Sequence, residues 1–120
     1  MGQQRTEQGM TLSPEDEKLV TLARTSRART HSTRGAAVRD LDGRTYVAAS
    51  IQLPSLELSA LDLAVAMAIS SGAKGLEAGA VVTTREGAIV DLSTVREMAG
   101  TDVPVYLATD DGTILSVRAS

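Results

Sequence analysis

Four arginines, Arg24, Arg27, Arg29 and Arg34, crowd one stretch of a chain whose formal net charge is -3. A guanidinium fork grips phosphate or carboxylate through two parallel hydrogen bonds, so the cluster could contact a nucleotide phosphate, an RNA backbone or a partner. The same spacing also describes a solvated helix end, where cations complement the negative end of the dipole. No aromatic residue interleaves it. With the negative net charge, that argues against nucleic acid as a partner. A second group is hydroxylic: Ser55, Ser59, Ser70 and Ser71 bracket an apolar segment. Serine without a placed His or Lys is a weak nucleophile. The only histidine, His31, has no motif around it and reads as an exposed loop residue. The chain has no cysteine, which excludes disulfides and thiolate metal sites. Gly72, Gly75 and Gly79 are too widely spaced to cradle a phosphate. The residues themselves therefore name no catalytic group, metal or cofactor.

The elements that position these groups follow from periodicity and punctuation. Residues 1–12 are polar and read as a mobile tail before one domain, residues 13–120. Ser13-Pro14-Glu15-Asp16 is a helix start, with a hydroxyl cap, Pro in the first turn and acids at the positive dipole end. Leu19, Val20, Leu22 and Ala23 form its buried stripe, and from Arg24 to Arg34 the pattern fades into a helix end and loop. Asp42-Gly43 supplies the positive backbone angles of a tight hairpin turn between Gly35–Leu41 and Arg44–Ile51. Gln52-Leu53-Pro54-Ser55 reads as a loop, because Pro54 cannot donate to a sheet.

A second helix is predicted over about 57–71, closed by Gly72 as a left-handed cap, with Asp62 its one charge. Ala78–Thr84 is a buried strand, Asp91 caps a short helix over Leu92–Ala99, and Val103–Ala108 and Thr113–Val117 form the last hairpin. The order α-β-β-α-β-α-β-β predicts a single sheet with helices on both faces. There is no Phe or Trp, and only Tyr46 and Tyr106 are aromatic, so any ligand pocket must be walled by aliphatic side chains. No apolar run is long enough to span a bilayer and the N-terminus has no signal core, which makes the cytoplasm the expected address.

Ser59 to Gly72 resembles the metal-bearing helix of the cytidine deaminases, which reads Cys-Ala-Glu-Arg-x-Ala. Gly35-Ala36-Ala37-Val38 is similar to their Val-Gly-Ala-Ala strand, and Asp91-Leu92-Ser93-Thr94-Val95-Arg96-Glu97 to their Pro-Cys-x-x-Cys-Arg-Gln motif. The resemblance covers roughly residues 13–118 and implies a three-layer α/β/α fold on a mixed five-stranded sheet. In the family, zinc activates water and a carboxylate shuttles protons. The resemblance puts Ser59, Leu92 and Val95 at the three zinc-ligand positions and Leu61 at the acid/base position. Ser32 stands for a family Phe that stacks near the base, and Ser50 and Gln52 for the ribose-holding Asn and Glu.

The frame is kept while its chemistry is gone, which implies a non-catalytic binding or interaction module. A deaminase or other hydrolase with a substituted site, and a nucleotide- or RNA-contacting accessory protein, are the alternatives. Either a small polar or anionic ligand occupies the vacated site at the helix start, or Leu61, Leu92 and Val95 fill it, each gaining roughly 1.5–3 kcal/mol on burial. Small cytidine deaminases are generally homotetramers, so a homo-oligomer, tetramer or dimer, is the expected assembly. Asp62 replaces a family Arg at subunit contacts, and any such contact must have changed.

Overall fold

The computed structural model describes residues 11–84 and 89–120. The expected tail, apart from Thr11 and Leu12, lies outside the described residues. Helix α1 runs Pro14–Thr30, capped by the Ser13 hydroxyl, which accepts from the Asp16 N–H at 3.1 Å. It is about two turns longer than the apolar stripe ending at Ala23 suggests. The stripe continues through Ser26, which is 4% exposed, and the helix ends where His31 turns left-handed at φ 56°. A serine carries no hydrophobic signal, yet its small size lets the helix lie close on the sheet. Gly35 lies beneath it at a distance where a Cβ would stand 2.1 Å from the Ala23 carbonyl oxygen.

Strands β1 (Arg34–Asp40) and β2 (Thr45–Ala49) form an antiparallel hairpin. Its turn spans Asp40 to Arg44, wider than the two residues Asp42-Gly43. The reason is the buried Asp40 carboxylate, which accepts from the N–H groups of Asp42 and Arg44, both at 2.9 Å, and from the Tyr46 hydroxyl at 2.8 Å. Burial works to raise the Asp40 pKa, but hydrogen bonds from Arg44, Tyr46 and Asp42 together hold it below the usual carboxylate range.

The segment expected as a loop is a second hairpin, β3 (Ile51–Leu53) and β4 (Leu56–Leu58), with Pro54 and Ser55 as its turn. Pro54 is compatible because it sits in the turn, not in a ladder. Helix α2 consequently starts later, at Ala60, and runs to Ser70, with Gly72 at φ 91° as expected of a left-handed end. Then come β5 (Leu76–Thr83), α3 (Ser93–Ala99), β6 (Pro104–Thr109) and β7 (Ile114–Ala119).

The five-stranded sheet has the order β2-β1-β5-β6-β7. Only β5 and β6 are parallel; the other neighbours are antiparallel. Along β1, Ala37 packs in the α1 cluster with Leu19, Val20 and Ala23, whereas Ala36 and Val38 pack in the opposite cluster with Leu61, Val65 and Val95. The strand alternation thus separates two cores, with α1 on one face and α2 and α3 on the other, giving the expected three layers. Arg39 pins α1 to the sheet, its Nη2 donating to Asp16 at 2.9 Å and its Nε to Glu77 at 2.6 Å. Tyr106 donates to the same Asp16 at 2.6 Å; burial first, then this bond, push its hydroxyl up to about 12. Among the described residues no helix is long and apolar enough to cross a membrane.

Candidate functional site

Arg34 opens β1 and pairs in register with Thr83, the last residue of β5. Helices α2 and α3 begin at the same end, so their starts and this sheet end converge in a crevice. Such crevices at strand ends are where open α/β sheets bind ligands. The crevice has a volume of about 240 Å³ and is lined by Arg34, Ser59, Asp62, Ile89, Val90 and Asp91, among others. A neighbouring hollow of about 310 Å³ shares Arg34 and Ser59 and adds Thr33, Ser50, Gln52 and Glu57. The hollow between α1 and the β6–β7 turn is larger, about 370 Å³, but is rimmed by Glu17, Arg24 and Asp111, away from both helix starts.

The Ser59 hydroxyl is committed as the α2 cap, accepting from the Asp62 N–H at 3.0 Å. At the start of α3 the cap position itself is Leu92, which has no capping bond. Asp91 acts one residue earlier, accepting from the Ser93 hydroxyl at 2.6 Å and the Ser93 N–H at 2.9 Å. Those bonds hold the Asp91 carboxyl below its ordinary range, so it is ionised at neutral pH. Beneath the crevice, Leu61 is 2% exposed, Leu92 4% and Val95 1%, all in one apolar cluster. Ser32 and Ser50 are tied to the start of β1. The Ser32 hydroxyl donates to the Ser50 carbonyl at 3.3 Å, and the Ser50 hydroxyl accepts from the Arg34 N–H at 3.3 Å. Gln52 is exposed on the small hairpin.

The family described as cytidine deaminase-like matches residues 12–112. The chain belongs to the cytidine deaminase-like family. Its fold is similar to that of a cytidine deaminase from Burkholderia pseudomallei, at 20% identity and a TM-score of 0.70, over 91% of this chain and 92% of the other. A cytidine deaminase from Mycobacterium leprae is similar at 18% identity and a TM-score of 0.67, over 89% of this chain and 94% of that one. No curated protein gives a significant match.

A zinc ion takes nitrogen, thiolate or carboxylate donors. The residues the resemblance puts at the zinc positions do not fit it: one serine hydroxyl already holding a helix start, and two buried aliphatic side chains. Among the described residues no three His, Cys, Asp or Glu side chains converge elsewhere.

The four arginines do not form one patch. Arg34 lines the crevice on the α2 side of the sheet, while Arg24, Arg27 and Arg29 belong to α1 on the other. The Arg24 Nε donates to the Asp110 carbonyl at 3.2 Å, and the Arg27 Nη1 to the Ser32 carbonyl at 3.3 Å, which spends both on local structure. His31, read from the sequence as an exposed loop residue, is exposed at the end of α1 and lies outside the crevice lining. Asp91 and Glu57 were missed as lining residues. The period-two pattern Ile51, Leu53 and Leu56, Leu58 around Pro54-Ser55 is the signal that would have exposed the small hairpin, and with it Glu57.

Proposed function

We propose that the chain is a non-catalytic member of its family, an interaction module that assembles with copies of itself and has a crevice shaped for a small polar molecule. The observation that carries the reading is the burial of Leu61, Leu92 and Val95 together in one apolar cluster. Deamination needs an activated water and a proton shuttle, and aliphatic side chains supply neither. Their packing against Val65, Val81 and Val90 stabilises the helix starts in place of any polar centre. Among the described residues, Arg34 lines the two hollows together with Asp62, Asp91 and Glu57, one cation with three carboxylates. That balance favours a neutral hydroxylic or zwitterionic ligand over a free anion.

Self-assembly is supported by α2. Beyond Asp62 in its first turn, its exposed surface, Ala66, Met67, Ile69 and Ser70, carries no charge, with Ile69 50% and Met67 38% exposed. A two-fold interface must be self-complementary, and an uncharged face meets that demand without opposing like charges. The deciding experiment is elemental analysis of tag-free protein with cytidine and deoxycytidine turnover on the same sample. No zinc and no turnover is the expected result. Stoichiometric zinc with turnover would place the substituted-site hydrolase ahead of this reading.

A further inference from the structure

The hollow of about 370 Å³ between α1 and the β6–β7 turn lies on the α1 side of the sheet and takes no part in the reading above. Its wall follows from spacing along α1, where Glu17, Val20, Thr21 and Arg24 share one helical face. Val20 joins Leu12 and Ile114 in an aliphatic lining. Glu17 and Arg24 are seven residues apart, so about 10 Å separates them along the helix axis.

The Arg24 end is held in place. Gly112, at φ 91°, lets the guanidinium lie against the turn, where a Cβ would stand 3.2 Å from Arg24 Nη1. The Nε bond to the Asp110 carbonyl fixes one edge of the fork without using the two Nη groups, which have no partner among the described residues. Beside it the Asp111 carboxylate accepts from the Thr109 hydroxyl and from the Thr113 N–H, both on Oδ1. Those bonds, the Thr109 one first, lower its pKa to about 2, so it is ionised at neutral pH. A carboxylate has acceptor sites beyond those two. At the other end, Glu17 forms no ion pair among the described residues.

We infer that this hollow binds a basic amino acid of the lysine or ornithine class, with its carboxylate on the Arg24 fork, its α-ammonium toward Asp111 and its side-chain cation toward Glu17. Charge selects this class. The rim carries one cation and two carboxylates, and a basic amino acid carries one carboxylate and two cations, so every charge meets its opposite. A phosphate or other anion would face two carboxylates, and a polyamine would leave Arg24 unmatched. Length agrees as well. Extended lysine measures about 7 Å from carboxylate carbon to side-chain nitrogen at standard bond lengths, and charge-assisted bonds of about 2.8 Å inclined to the axis span the remainder. The methylene stem would lie on Leu12, Val20 and Ile114 while both ends stay hydrated at the rim. This site is separate from the crevice and independent of self-assembly.

The test is titration of the full chain with L-lysine, norleucine and cadaverine, followed by calorimetry and by amide chemical shifts. Norleucine lacks only the side-chain cation, and cadaverine lacks only the carboxylate. Lysine should saturate at millimolar concentration, with shifts centred on Glu17, Arg24 and Gly112. Each analogue should bind at least about threefold more weakly, within the range of one exposed ion pair. Glu17→Gln, at an exposed position, should weaken lysine by about three- to fivefold while leaving norleucine binding and the circular dichroism spectrum unchanged. No saturation by lysine, equal affinity for the analogues, or shifts centred on Ser59 and Asp91 would overturn the site. So would a Glu17→Gln variant that keeps full lysine affinity or weakens lysine and norleucine alike.

Discussion

Replacing Leu61 with glutamate puts an acid at the position where the resemblance implies the family's carboxylate, and tests whether that position is core. Leu61 is 2% exposed in a cluster with Leu92 and Val95. Losing the buried aliphatic removes about 1.5–3 kcal/mol. Burying a carboxyl with no partner costs about another 1–3 kcal/mol even in its neutral form. The sum, about 3–6 kcal/mol, is a large fraction of the stability of an ordinary domain. With unfolding entropy near 2.1 cal/mol/K per residue, a 120-residue chain shifts by about 4 °C per kcal/mol, so Tm should fall by about 12–24 °C at neutral pH. The deficit must also depend on pH. Burial raises the folded pKa of the new carboxyl above its unfolded value near ~4.3. The penalty is therefore smallest below the unfolded pKa and grows as pH rises through the folded one. Thermal melts of Leu61→Glu and Leu61→Gln from acid to neutral pH separate the two contributions, since only the first carries the ionisation. A Leu61→Glu variant that melts within about 2 °C of wild type, with no pH dependence, would mean the site is hydrated and the core reading is wrong.

Gly35→Ala should destabilise by about 3 kcal/mol or more in urea titrations, because its Cβ would stand 2.1 Å from the Ala23 carbonyl and 2.9 Å from the Arg27 amide, forcing α1 off the sheet. A loss below about 0.5 kcal/mol would show that α1 has slack there. Asp40 contributes stability that is complete above its unfolded pKa and lost as pH falls through its depressed folded one. Asp40→Asn should lower the urea midpoint at neutral pH and flatten its decline on acidification; an unchanged acid limb would sink that assignment.

The fold was legible wherever a pattern and a punctuation mark coincided. Ser13-Pro14 opens α1, Gly72 closes α2, and the strand-rich run Leu76–Thr83 is the buried centre of the sheet. Boundaries were lost where burial is done by residues that carry no hydrophobic signal. Ser26 continues the α1 stripe unseen. The exposed Glu57 was lost differently, assigned to a helix that begins only at Ala60 because the helical spacing of Leu58, Leu61 and Val65 runs back through the short strand. The aliphatic residues of the site were legible as a set through the resemblance. Their shared cluster is a property of three dimensions, set by two helices starting at one sheet end. The arginine group meets the same limit, since adjacency in sequence says nothing about which face of a sheet a residue reaches.

That last point divides the candidate surfaces between the two faces of the sheet. Alternation along β1 sends Arg34 to the α2 side, away from the α1 arginines, so a partner engaging all four would have to wrap a sheet edge. The α2 side instead gathers the crevice, the small hairpin and the charge-free stretch of α2 beyond Asp62. A filled apolar centre makes the start of α2 rigid, and rigid elements present binding groups with less loss of conformational entropy than mobile ones. The aliphatic side chains Leu61, Leu92 and Val95 thus anchor the start of the helix whose outer face the proposed self-assembly would use.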